Sequence, residues 1–253
     1  MTQFFFACLC TLLTVQGYAQ HSSSAPMGHC HNDYRLSFPF TTAFEAGMGS
    51  IEADVYLIKD KLYVAHSPFQ IKGKRTLDRL YLEPIVELVR QGKAHPLQLL
   101  IDVKYRPKAT LRKIIEELEE YPKVFNENSL ITIIISGKRP PKEDWDSYPP
   151  YIFFDGRPFE IYTETEQKRI GMISYNFKHY KPDWSKNKIK DVSSLKRMVD
   201  LCHAKGERIR FWNAPDNKTV WQRLLELGVD IINTDNPEKL NLFFQKVDAA
   251  ATK

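Results

Sequence analysis

The chain has 253 residues, enough for one large domain or two small ones, and α/β barrels of this length form one domain. Hydrophobic residues make up 43% and charged residues 26%, the balance of a soluble globular protein, and four cysteines are too few for a disulfide framework. The formal charge of +5 is spread among Asp and Glu rather than gathered into a stripe, so there is no footprint for nucleic acid, while mild basicity favours an anionic substrate or lipid surface.

Taken in chain order, the apolar run from Phe4 to Val15 is too short to span a bilayer, which needs about 20 apolar residues. Gly17-Tyr18-Ala19 follows it with small residues at the positions a signal peptidase inspects, the pattern of a secretory signal cleaved after Ala19. The n-region departs from that pattern in having no Lys or Arg. Residues 20–253 are then expected as a single exported domain, periplasmic or extracellular, monomeric and without a transmembrane segment. Cys8 and Cys10 leave with the signal, and Cys30 and Cys202 are not expected to pair.

Short apolar runs then alternate with helical patterns. Strands are predicted at Ala25–Cys30, Ser50–Leu57, Leu97–Val103, Leu130–Ser136, Tyr151–Phe154, Ile170–Ser174, Arg208–Trp212 and Val229–Asn233, with Leu62–His66 as a hairpin partner of the second. Helices are predicted at Thr41–Gly47, Thr76–Gln91, Ala109–Tyr121, Ser193–Lys205, Lys218–Leu227 and Pro237–Ala249. Leu111, Ile114, Ile115 and Leu118 have helical spacing. Ser193-Ser194 offers an N-cap with Gly206 as the stop, and Asn217 and Gly228 bracket the next helix. Residues 137–169 and 175–192 read mainly as loops. The order of elements predicts an α/β fold, an irregular (β/α)8 TIM barrel, with catalytic residues at the C-terminal ends of strands.

The chemistry-bearing residues sit at those ends. Glu52 and Asp54, two apart on a strand, share one face, and a cation between them relieves their repulsion. Asp102 and Lys104 close the apolar run Leu97–Val103. At the strand mouth Asp102 becomes a third ligand for one Mg²⁺ or Ca²⁺, and Lys104 a fixed positive charge for a phosphoryl oxygen. His29 and His66 also end strand-like runs, and two imidazoles can divide general base and general acid roles near neutral pH.

The segment Gly28-His29-Cys30-His31-Asn32, Glu52-Ala53-Asp54, His66 and Asp102-Val103-Lys104 resembles the phospholipase C-like phosphodiesterase superfamily. That superfamily includes glycerophosphodiester phosphodiesterases, bacterial phosphatidylinositol-specific phospholipase C and spider sphingomyelinase D. The Gly-His-x-x-Asn and Asp-x-Lys patterns are most similar to the sphingomyelinase D branch, and His31 to Tyr34 resembles a less-studied branch. Near the C-terminus, Ile209 to Asn213 and Asn233 to Pro237 resemble the end of glycerophosphodiesterase barrels. The resemblance implies a metal-dependent phosphodiesterase acting on a glycerophosphodiester or phospholipid-type headgroup. It implies His29 and His66 as catalytic residues, and Lys104, His31, Asn32, Trp212 and Asn213 as substrate or phosphate contacts. The Gly-His-x-x-Asn match favours His29 over His31 as the catalytic imidazole. Trp212 serves equally well as a core aromatic. Cys30 stands where the family has a phosphate-binding Arg, and Ser67 where it has Asp, so glycerophosphodiester specificity does not follow.

Two other readings remain. His29-Cys30-His31 is also the His-x-His that opens metal-dependent amidohydrolases and polymerase-and-histidinol-phosphatase hydrolases, which need further imidazole ligands; His179 and Asp235 are the candidates here. The barrel could also be a non-catalytic secreted binding module.

Overall fold

The computed structural model describes residues 26–180 and 189–251. The expected leader over residues 1–19 lies outside the described residues, as does part of the 175–192 segment. Eight parallel strands are β1 (Met27–Cys30), β2 (Ser50–Ile58), β4 (Leu97–Val103), β5 (Ile131–Gly137), β6 (Ile152–Gly156), β7 (Ile170–Asn176), β8 (Ile209–Trp212) and β9 (Ile231–Thr234). They follow one another in that order, and β9 pairs back to β1 in the register Met27↔Ile231 to Cys30↔Thr234, which closes the barrel. The short β3 (Lys61–Val64) lies antiparallel on β2, forming the expected hairpin. Strands buried on both faces read as near-continuous apolar runs, and β4 and β5 do so.

The helices are α1 (Thr41–Glu45), α2 (Glu83–Arg90), α3 (Pro107–Glu119), α4 (Glu164–Lys168), α5 (Ile189–His203), α6 (Lys218–Glu226) and α7 (Pro237–Ala251). On α3, Leu111, Ile114 and Leu118 are buried at the expected spacing. The Asn217 side chain caps α6 by accepting from Val220 N at 3.1 Å, and Gly228 follows it at φ +82°. The pattern over Thr76–Gln91 is not one α-helix. Asp78–Leu82 forms a π-turn ahead of α2, with Glu83 N–H bonded to Asp78 O. Pro84 explains the change, because it lacks an N–H and its ring crowds the carbonyl four residues back. Helix α5 already runs at Ile189, so Ser193 and Ser194 lie within the helix rather than capping it.

Residues 137–169 are more ordered than a loop. A 3-10 turn over Lys142–Ser147 stands where the helix after β5 belongs, and α4 follows β6. Trp145, 1% exposed, fills this thin part of the outer ring and stacks on Phe154 with ring centroids 4.2 Å apart. A capping box starts α4, with Thr163 Oγ1 accepting from Glu166 N and Glu166 accepting from Thr163 N. The barrel is therefore irregular in its middle units. No helix among the described residues is long and apolar enough to cross a membrane.

Candidate active site at the barrel mouth

Inside the barrel, Leu100, Ile134, Met172 and Ile231 form an apolar plug, with Met27 and Phe153 packed against it. Side chains two residues apart on a strand share a face. The residues two further on are His29, Asp102, Ser136, Asp155, Ser174 and Asn233, so a polar layer caps the plug at the C-terminal ends of the strands. Strand β2 adds Glu52 and Asp54, and Asp54, Asp102 and Ser136 stand side by side in register.

Glu52, Asp54 and Asp102 converge, with one carboxylate oxygen of each within 4.8 Å of the others. Asp54 is 1% exposed. Its Oδ2 meets Lys104 Nζ and His66 Nδ1, both at 3.0 Å, while its Oδ1 is buried with no hydrogen-bond partner. Burial and the Glu52 charge push the Asp54 carboxyl above its ordinary value. Burial, reinforced by Glu52 and Asp54, pushes Asp102 up to about 6 against the opposing pull of Lys104. An unpartnered buried oxygen among crowded carboxylates fits a hard divalent cation with oxygen ligands, and no His or Cys joins the group among the described residues. Lys104 Nζ bridges Asp54 and Asp102, at 3.0 and 2.9 Å. Burial works against its charge, but the two carboxylates raise its pKa. Gly137 at φ +67° makes room for Asp102, since a Cβ there would lie 1.9 Å from Asp102 Oδ1.

His29 is fully buried. Its Nδ1 is bonded to Ser50 Oγ at 2.7 Å, and its Nε2 faces Glu52 Oε2 at 3.0 Å and the Arg210 guanidinium. Burial and the Arg210 charge depress its pKa to about 4. These contacts occupy both ring nitrogens, and in this geometry His29 braces the underside of Glu52. Arg210, 4% exposed, completes the brace through Glu52 Oε2 at 2.9 Å and Ser174 Oγ at 3.1 Å. Although burial pushes the Glu52 carboxyl up, the His29 bond and the Arg210 charge hold it well below the usual carboxylate range.

His31 is the imidazole of this pair that opens on the mouth, with its side chain 32% exposed. Asn32 turns the chain out of β1 at φ 53°, the left-handed region that Asn tolerates. His31 Nδ1 bonds Asp235 Oδ1 at 2.7 Å, which leaves Nε2 facing Glu52 Oε1 at 3.9 Å. Burial lowers the His31 pKa, but the Asp235 bond and the Glu52 charge raise it to a net value above the ordinary one. Asn32 donates to the same carboxylate at 3.2 Å and holds the Tyr34 hydroxyl at 2.5 Å, itself 2.8 Å from Asp54 Oδ2. His66, half-exposed, is fixed through Nδ1 by Asp54, so its Nε2 points away from that carboxylate. Each imidazole is thus oriented by a carboxylate on one nitrogen, the arrangement that fixes a tautomer and frees the other nitrogen for proton transfer.

The structure brings together eight of the ten sequence-predicted site residues, from His29 to Lys104. Trp212 is 38% exposed at the end of β8, two residues beyond Arg210 on the same face, which excludes the core role, and Asn213 donates to Asn176 Oδ1 at 3.3 Å; both belong to the rim rather than to the hydrogen-bonded cluster. Sequence reasoning missed Arg210, Ser50 and Tyr34, and considered Asp235 only as a ligand of another hydrolase class. Arg210 had a signal, a lone charge in the apolar run Ile209–Trp212, which must find a buried partner. His95 stacks on Phe44 and His203 pairs with Asp230, so neither joins the mouth.

Residues 21–95 match the AIM6-like phosphodiesterase domain family, and residues 208–238 match the glycerophosphoryl diester phosphodiesterase family. The chain is 25% identical to an altered inheritance of mitochondria protein 6 homolog from Arthroderma benhamiae, covering 85% of this chain and 83% of that one. It is also 25% identical to altered inheritance of mitochondria protein 6 from Eremothecium gossypii, covering 85% and 68%. In fold it matches a glycerophosphodiester phosphodiesterase from Parabacteroides distasonis at 18% identity and TM-score 0.56, over 88% of this chain and 100% of that one. A phosphodiesterase from Oleispira antarctica, solved with the product sn-glycerol-3-phosphate, matches at 13% identity and TM-score 0.57, over 87% and 97%. A Ca²⁺-dependent phosphatidylinositol-specific phospholipase C from Streptomyces antibioticus matches at 12% identity and TM-score 0.52, over 86% and 96%. Domain matches and fold thus agree with the superfamily that the motifs resemble.

Proposed function

We propose that the mouth is the active site of a metal-dependent phosphodiesterase acting on a glycerophosphodiester or phospholipid-type headgroup. The observation that carries the reading is the convergence of Glu52, Asp54 and Asp102 around an unpartnered Asp54 oxygen, between two carboxylate-oriented imidazoles. Those three carboxylates would hold one Mg²⁺ or Ca²⁺, which supplies Lewis-acid polarisation of a phosphoryl oxygen when bound. Lys104 adds a fixed positive charge beside the same oxygens. His31, held by Asp235, and His66, held by Asp54, divide the two proton transfers. One takes the proton of the nucleophile, either water or a hydroxyl of the substrate, and the other gives a proton to the departing alkoxide. His29 and Arg210 keep Glu52 ionised and in place. Export after loss of residues 1–19 belongs to the same proposal and is supported by the sequence pattern, and a monomeric domain over 20–253 is proposed with it.

The all-oxygen donor set favours this reading over a His-x-His zinc hydrolase, since His29 is bonded to Glu52 and Arg210, and His31 to Asp235. The test is phosphorus NMR on glycerophosphodiesters, lysophospholipids, sphingomyelin and phosphoinositides, with Mg²⁺, Ca²⁺ or chelator. His31→Ala and His66→Ala are each expected to lower kcat by about 100- to 10,000-fold. Full turnover in chelator overturns the metal assignment, and undiminished turnover by both variants overturns the acid/base pair. No turnover of any phosphodiester by the wild-type protein, with its metal, leaves the binding-module reading.

A further inference from the structure

The large apolar side chains left in water concentrate at one end of the barrel. Phe69 is 98% exposed, Ile161 88%, Phe38 71% and Phe159 69%; Phe38, Phe159 and Ile161 stand on loops that leave the C-terminal ends of barrel strands, and Phe69 on the turn that follows His66, next to Pro68 of the mouth cavity. Tyr105 and Trp212, half-exposed, belong to the same rim. Single exposed apolar residues are ordinary; a ring of them around one mouth marks an interaction surface.

The charges on the first arc of this rim have one sign. Arg35, Lys59, Lys72, Lys74 and Arg106 are exposed on the connections after β1, β2, β3 and β4. The exposed acid there, Asp60, is bonded to Lys113 at 3.2 Å. A cavity of about 600 Å³ opens between these loops, lined chiefly by Tyr56, Leu57, Ile58, Pro68 and Tyr105, with Lys104 in its wall. Apolar side chains among basic ones, beside a mostly apolar cavity that reaches a site charge, fit an amphiphile with a negative headgroup.

We infer that the mouth rim docks on an anionic lipid bilayer, with Phe38 and Phe69 entering the acyl boundary and Lys72, Lys74 and Arg106 meeting headgroups. The substrate class implied is a phosphodiester presented at that surface; this part rests on the function proposed above, whereas docking itself does not. The test is co-sedimentation, in chelator and without turnover, with vesicles of phosphatidylcholine alone or mixed equally with phosphatidylserine. Wild-type protein is expected to bind the mixed vesicles more tightly, and less tightly as salt rises. The Phe38→Ser/Phe69→Ser double variant is expected to bind about tenfold or more weakly. Lys72→Glu/Lys74→Glu is expected to lose about fivefold or more for each charge. Leu130→Ser, at the opposite end of the barrel, is expected to bind as wild type does. Equal binding to both vesicles, no binding to either, or wild-type binding by both double variants overturns the inference. If wild-type protein docks as expected but cleaves no phosphodiester, the proposed function falls and the docking surface stands.

Discussion

The two sides of the barrel mouth use the same layer of side chains differently. On the side built from β1, β2 and β4, three carboxylates (Glu52, Asp54 and Asp102) face two fixed cations, Lys104 and Arg210, while exposed Asp235 after β9 pairs with His31. On the side built from β5 and β6, charges come in matched pairs. Asp155 takes Arg157 at 3.0 Å and Ser136 at 2.6 Å, Arg139 takes Glu160 at 2.8 Å, and Lys142 takes Glu166 at 3.0 Å. Paired charges hold loops in place, whereas unmatched buried negative charge needs another cation. The imbalance separates the side proposed to carry the reaction from the supporting side, although both lie at the same height in the barrel.

Substitutions can break that contrast. The largest effect is expected for Asp54→Asn or Asp102→Asn, about 100-fold or more in turnover together with loss of divalent-cation binding, followed by calorimetry and phosphorus NMR. Asp155→Asn is expected to stay within about tenfold; an equal loss there would erase the distinction between the two sides. Next is Gly137→Ala. Its φ of +67° and the clash with Asp102 predict about 1–2 kcal/mol of lost stability in a denaturant melt and weaker cation binding.

The pH dependence sharpens the contrast further. Because Asp102 is raised to about 6, protons compete for that carboxylate, and divalent affinity should fall as pH drops below about 6. Affinity that is flat from pH 5 to 8 would remove Asp102 from the ligand set. The smallest effect lies outside the mouth, on α3. Burial, with the Asp78 charge added, lifts Glu117 to about 7, and its Oε2 is buried with no partner. The folded protein therefore holds this proton more tightly than the unfolded chain. The stabilisation is complete below about 4.5 and is lost as pH rises through about 7. Glu117→Gln should flatten that decline and gain about 1 kcal/mol at pH 8, read from melts across pH.

Much of this site was legible because strand chemistry has a short period. Glu52 and Asp54, or Asp102 and Lys104, declare a shared face within three residues, and the apolar runs before them declare strand ends. The end of β1 at Cys30 was legible too; what spacing could not decide is which of His29 and His31 lies under Glu52 and which opens on the mouth. With the strand ending at Cys30 and Asn32 turning left-handed, His29 lies inside the barrel and His31 opens on the mouth; a two-residue shift along the strand would put His31 in the place of His29. Arg210 was hidden for a different reason, since its partner Glu52 lies 158 residues away and nothing local names it. The middle units were under-read because their helices are short, though Thr163 and Glu166 carried the capping signature of α4 in plain view. Pro84 likewise announced a break in the pattern that became a π-turn.

The pairing of β1 with β9 has a consequence for the newborn chain. His31 is oriented by a residue 204 positions further along, and its own N–H is bonded to Thr234 O at 2.8 Å. At ribosomal speeds the first imaginable half of the acid/base pair waits ~10–40 s for its partner to be synthesised. Until that last strand docks, the carboxylates of β2 and β4 have His66 oriented by Asp54 but not His31 oriented by Asp235. A nascent chain therefore lacks the His31–Asp235 pair on which the proposed chemistry rests until the barrel is sewn shut.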